Sequence, residues 1–137
     1  MKNKFLVTFG ILFFSITLVS EYSNDIKIKS GTIEFIKESN KINFLNDVVI
    51  DSEFVNIVAE SAIYDDINSV ISLVGSPSFI SSNKQDSTFD GKAENILFFN
   101  DEKVHLIGNA SMKYENISIS SNMIIFNPQN GNMSSNE

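Results

Sequence analysis

Two acidic pairs (Asp65-Asp66 and Asp101-Glu102), a single histidine (His105) and many serines are the residues of this chain that could do chemistry. General acid–base catalysis would need such groups within hydrogen-bond reach of a substrate. His105, however, stands in an alternating apolar–polar segment, where a surface or rim side chain is the ordinary reading. Both acidic pairs fall where turns are expected, so solvated loops account for them. A divalent cation would need more oxygen ligands at loop spacing than either pair supplies. No G-x-S-x-G elbow and no His/Asp partner set accompanies the serines. Cysteine is absent, which removes disulfides and thiolate metal sites together. Asn109-Ala110-Ser111, Asn116-Ile117-Ser118 and Asn132-Met133-Ser134 fit the glycosylation pattern, a three-residue match that assigns nothing by itself. An enzyme is not expected, and neither a cofactor nor a metal is implied.

What must then be explained is the framework. The 137 residues suffice for one domain with one core. Hydrophobic residues make up 42% and lean towards Ile, Val and Phe, types that suit a half-buried pleated surface. The net charge of −7 argues against a nucleic-acid partner, which normally meets a basic patch. All ten basic residues are Lys, so bidentate arginine recognition of phosphate is out of reach.

Residues 1–20 read as an export signal. Lys2 and Lys4 form a basic start, and Phe5 to Val19 is then free of charge. That apolar run suits a signal h-region and falls short of the roughly 20 residues needed to span a bilayer. Ser20 is acceptable before a cleavage point, although Leu18 is larger than usual two residues earlier. Cleavage near Ser20 is the expectation and an uncleaved membrane anchor the alternative; either places the remainder outside the cytoplasm.

From Asp25 onward the period is two. Ile26/Ile28, Ile33/Phe35, Ile42/Phe44, Val55/Ile57, Ile71/Leu73, Val104/Leu106 and Ile117/Ile119 alternate with polar residues, the mark of strands with one buried face. Turn-type residues interrupt them at Glu38-Ser39-Asn40, Asn46-Asp47, Asp65-Asp66, Asn83 to Asp86, Asn100-Asp101 and Asn127-Pro128. The segment also repeats: Ile42 to Asp65 lies without a gap on Val104 to Asn127, with Ile50 on Met112 and Tyr64 on Phe126. In a less regular middle copy, Val74 to Phe79 matches Ile107 to Met112 and Ala93 to Phe98 matches Ala59 to Tyr64. Each unit reads as strand, tight turn, strand, short loop, strand, strand. One unit cannot bury its apolar face alone, so neighbours must stack. The expectation is an all-β fold with inward apolar rows.

These pieces, in this order, resemble the LptA/OstA family of periplasmic lipopolysaccharide carriers. Asp25 to Ser30 resembles the family's opening P-I-x-I-x-S/A strand, with Asp25 in the place of the proline. Leu106 to Met112 and Val74 to Phe79 resemble a recurring φ-x-G-x-A/P-x-φ piece. Ala59 to Tyr64 and Ala93 to Phe98 resemble its A-D/E-x-φ-x-Y/F partner. The resemblance covers about residues 25 to 128. It implies a twisted antiparallel β-jellyroll (OstA-like) of repeating strand units, open on one side, over residues 21–128, followed by a polar, disordered tail over 129–137. It also implies a periplasmic bridge for lipopolysaccharide in outer-membrane biogenesis. The lipid A acyl chains would lie in an apolar groove. Inner-membrane LptC-like and outer-membrane LptD-like proteins would pair with its edge strands, and copies would stack as an end-to-end homo-oligomer.

Such a carrier needs a replacement solvent rather than a catalyst. Each buried methylene is worth about 0.8 kcal/mol, so one acyl chain of a dozen carbons costs on the order of 10 kcal/mol to leave in water. The candidate groove residues share one parity along their strands: Ile26, Ile28, Ile33, Phe35, Ile42, Phe44, Ile50, Val55, Ile57, Tyr64, Phe79, Phe98, Leu106, Met112, Ile117, Ile119 and Phe126. Plain core packing is the competing reading for each. Ile63, Leu97 and Ile125 fall on the opposite face, which implies bulges or a partly apolar exterior. Two other functions stay open, a membrane-anchored LptC-like relative of the same fold and a ligand-free structural β-roll.

Overall fold

Alternation dictates strands, and the backbone follows it. The computed structural model describes residues 4–16, 26–83 and 88–136, the first segment by its backbone alone. The strands are β1 (Lys4–Ile16), β2 (Ile26–Ile36), β3 (Lys41–Asp51), β4 (Val55–Asp65), β5 (Val70–Ser82), β6 (Phe89–Phe99), β7 (Val104–Tyr114), β8 (Ile117–Phe126) and β9 (Met133–Asn136). A short 3₁₀ turn, Lys37–Ser39, joins β2 to β3. Among the described residues the strands form one sheet of nine in chain order, each antiparallel to the next. None of the helical structure described is long and apolar enough to cross a membrane.

The backbone of the expected export signal lies along β2 as β1. The expected cleavage point at Ser20 falls outside the described residues, as does the part of the Asn83 to Asp86 turn beyond Asn83. The tail departs from expectation, because Met133–Asn136 pairs with Met123–Phe126 as β9. Its polar residues build the turn that returns it. Asn127 Oδ1 accepts the Gln129 N–H at 2.9 Å, Asn130 Oδ1 accepts the Asn132 N–H at 2.8 Å, and Gly131 takes φ +76°.

Asn46-Asp47 and Gly108-Asn109 do not reverse the chain as the expected tight turns. All four residues have positive φ, the conformation a two-residue hairpin would also demand, but each pair sits inside one continuous strand. Asn46-Asp47 oppose Glu60 alone, and Gly108-Asn109 oppose Asn122 alone. Both are therefore bulges. Gly75-Ser76-Pro77 does the same opposite Glu94, with one residue more. Every pairing from β2 to β8 slips at this level.

Aligned bulges make a crease. A flat strand of the length of β3 would span roughly 35 Å, and Ser52 and Glu102 stand in the two opposite rows of turns. Yet the Ser52 hydroxyl reaches the Glu102 carboxylate at 2.6 Å. The sheet is thus folded over at the crease into two facing leaves. Ser30, Ala59, Ala62, Ser78, Ala93 and Ala110 are buried beside the crease, where the leaves meet most closely and only small side chains fit. Phe44, Phe98 and Phe126, with Ile28, Ile57, Leu73, Leu106 and Ile124, fill the space between the leaves.

The crease generates one prediction. A Cβ at Gly108 (φ +87°) would stand 2.8 Å from Glu94 Oε2 and 3.3 Å from Glu94 Cβ. Gly108→Val should lower stability by about 1–3 kcal/mol through strain at this φ. The urea midpoint measures it, and an unchanged midpoint would mean that the bulge does not fix the crease.

Candidate functional site

Each strand contributes its inward side chains on both sides of the crease to one apolar interior. Among the expected residues, Ile26, Ile28, Ile33, Phe44, Ile50, Val55, Ile57, Tyr64, Phe98, Leu106, Met112 and Phe126 are buried there. Phe35, Ile42 and Ile119 pack against the same cluster and are partly buried. Phe79 and Ile117 do not join them; they are 50% and 61% exposed.

Each exception has a local cause. The bulge in β5 is one residue longer than those in β3 and β7, so the gapless match of Phe79 to Met112 fails. The extra residue turns Phe79 outward and Ile80, 1% exposed, inward. Ile117 opens the first half of β8, close to the end of the roll. Its repeat counterpart Val55 is covered by the facing leaf and fully buried, whereas Ile117 is not. Val48, Ile80, Phe89, Ile96 and Ile124 are buried members outside the expected set. Ile124 and Ile96 occupy the positions of Ala62 in the repeat, which was the signal available for them.

The leaves meet with an offset, as expected of twisted sheets. Ile26, at the start of β2, shares a small internal gap with Tyr64, Ile71 and Phe98, on strands further along. The Phe89 ring meets Phe126 edge-on at 4.7 Å, and Tyr114 meets it at 5.9 Å. Between the leaves, that gap by Ile26 amounts to about 10 Å³, the scale of one water molecule. Open hollows of about 460 and 620 Å³ flank the crease beside Lys92 and Asn109, and another of about 510 Å³ is lined across β5–β8 by Phe79, Ile80, Lys92, Met112 and Ile119. The interior is therefore an apolar column, filled by its own side chains and bounded at each end by a strand edge.

A sequence profile described as LptA/(LptD N-terminal domain) LPS transport protein matches residues 27–132. The chain belongs to this family. Its fold is shared with a crystal structure of LptH from Pseudomonas aeruginosa, described as the LptA-homologous periplasmic component of the conserved lipopolysaccharide transport device. That match has 16% identity and a TM-score of 0.70, and covers 80% of each chain. No curated protein matches. Membership makes this a transport-family jellyroll rather than an enzyme, in keeping with the residues that might have done chemistry.

Those residues serve structure in this family member. The Asp65 carboxylate accepts hydrogen bonds from the Asn68 side chain (2.8 Å) and from the Ile67 and Asn68 N–H groups. The Asn68 side-chain bond, ahead of the backbone bonds, holds Asp65 below the usual carboxylate range. His105 packs at a tilt of 56° against Phe99 with ring centroids 4.7 Å apart, and its partial burial, then Lys103, lowers its pKa. Burial, then the hydrogen bond to Asp66, raises that of Tyr64. Asp101 is exposed as expected, but Glu102 is not a solvated loop residue: it is 0% exposed. The partner that buries it, Ser52, lies far away in sequence, beyond the reach of a local pattern.

The outer face is partly apolar. Val58 and Phe79 are cross-strand neighbours at 43% and 50% exposure, and Ile63 is 43% exposed, with Leu97 and Ile125 half-buried on its row. The face assignment makes a direct prediction. Phe98→Ala should cost about 3–5 kcal/mol, the usual loss for a buried aromatic. Phe79→Ala should stay within about 0.5 kcal/mol. Equal losses in chemical denaturation would contradict the assignment.

Proposed function

We propose that this protein is a periplasmic bridge that shields lipopolysaccharide acyl chains between its two leaves and passes the lipid from an inner-membrane to an outer-membrane complex. The observation that carries the reading is the apolar column itself, which is bounded at both ends by strand edges within a family of lipopolysaccharide transport proteins. Acyl methylenes would replace side-chain contacts of the same kind, so the site needs neither a fixed geometry nor a catalytic group. The inward residues named above, Phe44, Ile57, Phe98 and Leu106 among them, are the proposed lining.

The ends suit hand-over. A sheet edge offers unpaired N–H and C=O groups to another strand. β2 accepts a whole added strand in β1, and β8 accepts β9 along Met123–Phe126. LptC-like and LptD-like partners of the same fold, or further copies of this chain, would pair there once the leader has been removed near Ser20. The ligand-free structural roll stays in contention on one observation, the well-filled interior.

In-cell photocrosslinking separates the two. A probe at Phe44 or Phe98 should capture lipopolysaccharide, while probes at Asn43 or Asn95, on the other face, should not. If no inward probe captures lipid in a functional, exported protein, the carrier reading fails and the structural roll replaces it.

A further inference from the structure

Glu102 combines two costs that the fold alone does not require. Its carboxylate is fully buried, and burying a charge is expensive unless it is well bonded. Its backbone has φ +64°, an uncommon conformation for a residue with a long side chain. Turn residues elsewhere with positive φ, Asn40, Ser69 and Glu115, remain exposed or half-exposed. Glu102 alone among these turns inward, and it does so towards the opposite row of turns.

What it meets there is prepared for it. The Ser52 hydroxyl donates to Glu102 Oε1 at 2.6 Å, and the Phe54 N–H points to the same oxygen at 3.3 Å. The turn carrying Ser52 is braced from β5, since Asn83 Nδ2 donates to Asp51 Oδ1 (2.6 Å), the Ser52 carbonyl (2.8 Å) and the Val55 carbonyl (2.9 Å). The turn carrying Glu102 is closed on itself by Glu102 N–H to the Phe99 carbonyl (2.9 Å) and Lys103 N–H to Asp101 Oδ1 (3.0 Å). Two separately stiffened rims thus meet at a buried carboxylate, and the Ser52 hydroxyl makes the shorter of its two bonds to the opposite turn.

We propose that Ser52–Glu102 is a clasp holding the rims of the folded sheet shut, and that parting it is the step that opens the filled interior to an apolar chain. Among the described residues the strand ladder runs only between sequence neighbours, so no backbone pairing there ties the rims and the leaves can part without breaking the sheet. A buried ionic hydrogen bond roughly breaks even against hydration of its groups. Opening therefore returns the carboxylate to water as the bond is lost, which keeps the closed and open forms close in free energy. An apolar contact at the same place would simply stay shut. The clasp's part in admitting lipid rests on the carrier reading above; its part in holding the rims does not.

Two substitutions push in opposite directions. Ser52→Ala removes the 2.6 Å donor to the buried carboxylate, keeps the longer Phe54 N–H contact, and favours the open form. Glu102→Met keeps the length, removes the charge and favours the closed one. Spin labels at Glu53 and Asn100, exposed residues close to the clasp on each rim, report the rim separation by pulsed electron resonance in the lipid-free full chain. Relative to wild type, Ser52→Ala should raise the population at long separation about fivefold, the scale of one lost hydrogen bond, and Glu102→Met should lower it. Uptake rates of purified lipopolysaccharide should follow the same order. Identical separations in all three proteins would overturn the clasp, and should Ser52→Ala not fold, Glu102→Met against wild type decides alone. Rims that part as described while no protein takes up lipopolysaccharide would leave the clasp standing and sink the carrier reading.

Discussion

A line of bulges at one level across the sheet is the constraint on which the rest of this structure depends. The strands β2 to β8 each carry one apolar face, and among the described residues no α-helix covers it. A single sheet can bury such a face only against another layer. The bulges supply that layer by folding the sheet onto itself, so the same strands furnish both walls. The residues at the crease follow from this. Positive φ at Asn46, Asp47, Gly108 and Asn109 produces the kink, and alanines and serines leave room for the walls to meet. Small size outranks polarity there: the buried Ser78 hydroxyl finds no partner among the described residues.

Much of this was legible in the residues, and the exceptions share a cause. Period two placed the strands, and the match of Ile42–Asp65 to Val104–Asn127 superposes β3–β4 on β7–β8 with bulge on bulge. Phe98 and Phe126, which that pattern points inward, are buried. A local pattern cannot distinguish two left-handed residues in a hairpin from the same pair in a bulge, which is why Asn46-Asp47 read as a turn. Nor does it show that β5 carries one more residue at its bulge, which moved Phe79 to the outer face. The burial of Glu102 depends on a turn 50 residues away. β9 depends on the free edge of β8, which its own polar composition does not announce.

The packed interior bears on how a lipid could be carried. The column of Phe, Ile and Leu fills itself with its own side chains, so these inward residues stay covered while no lipid is present. Taking in a chain then exchanges one set of dispersion contacts for another, and the cost lies in parting the walls rather than in desolvation. The folded-sheet design suits that exchange. Backbone hydrogen bonds run within the leaves, whereas across the rims the leaves meet through side chains such as Phe89, Tyr114 and Phe126.

The central claim is that acyl chains lie between the leaves. Methyl-labelled protein titrated with lipopolysaccharide tests it most directly, through nuclear Overhauser contacts between lipid methylenes and assigned methyl groups. Contacts to inward Ile28, Ile57, Leu106 and Ile124, with none to outward Val58, Ile63 and Val74, are the predicted result. Contacts confined to the outward methyls, with the inward set unperturbed, would contradict it.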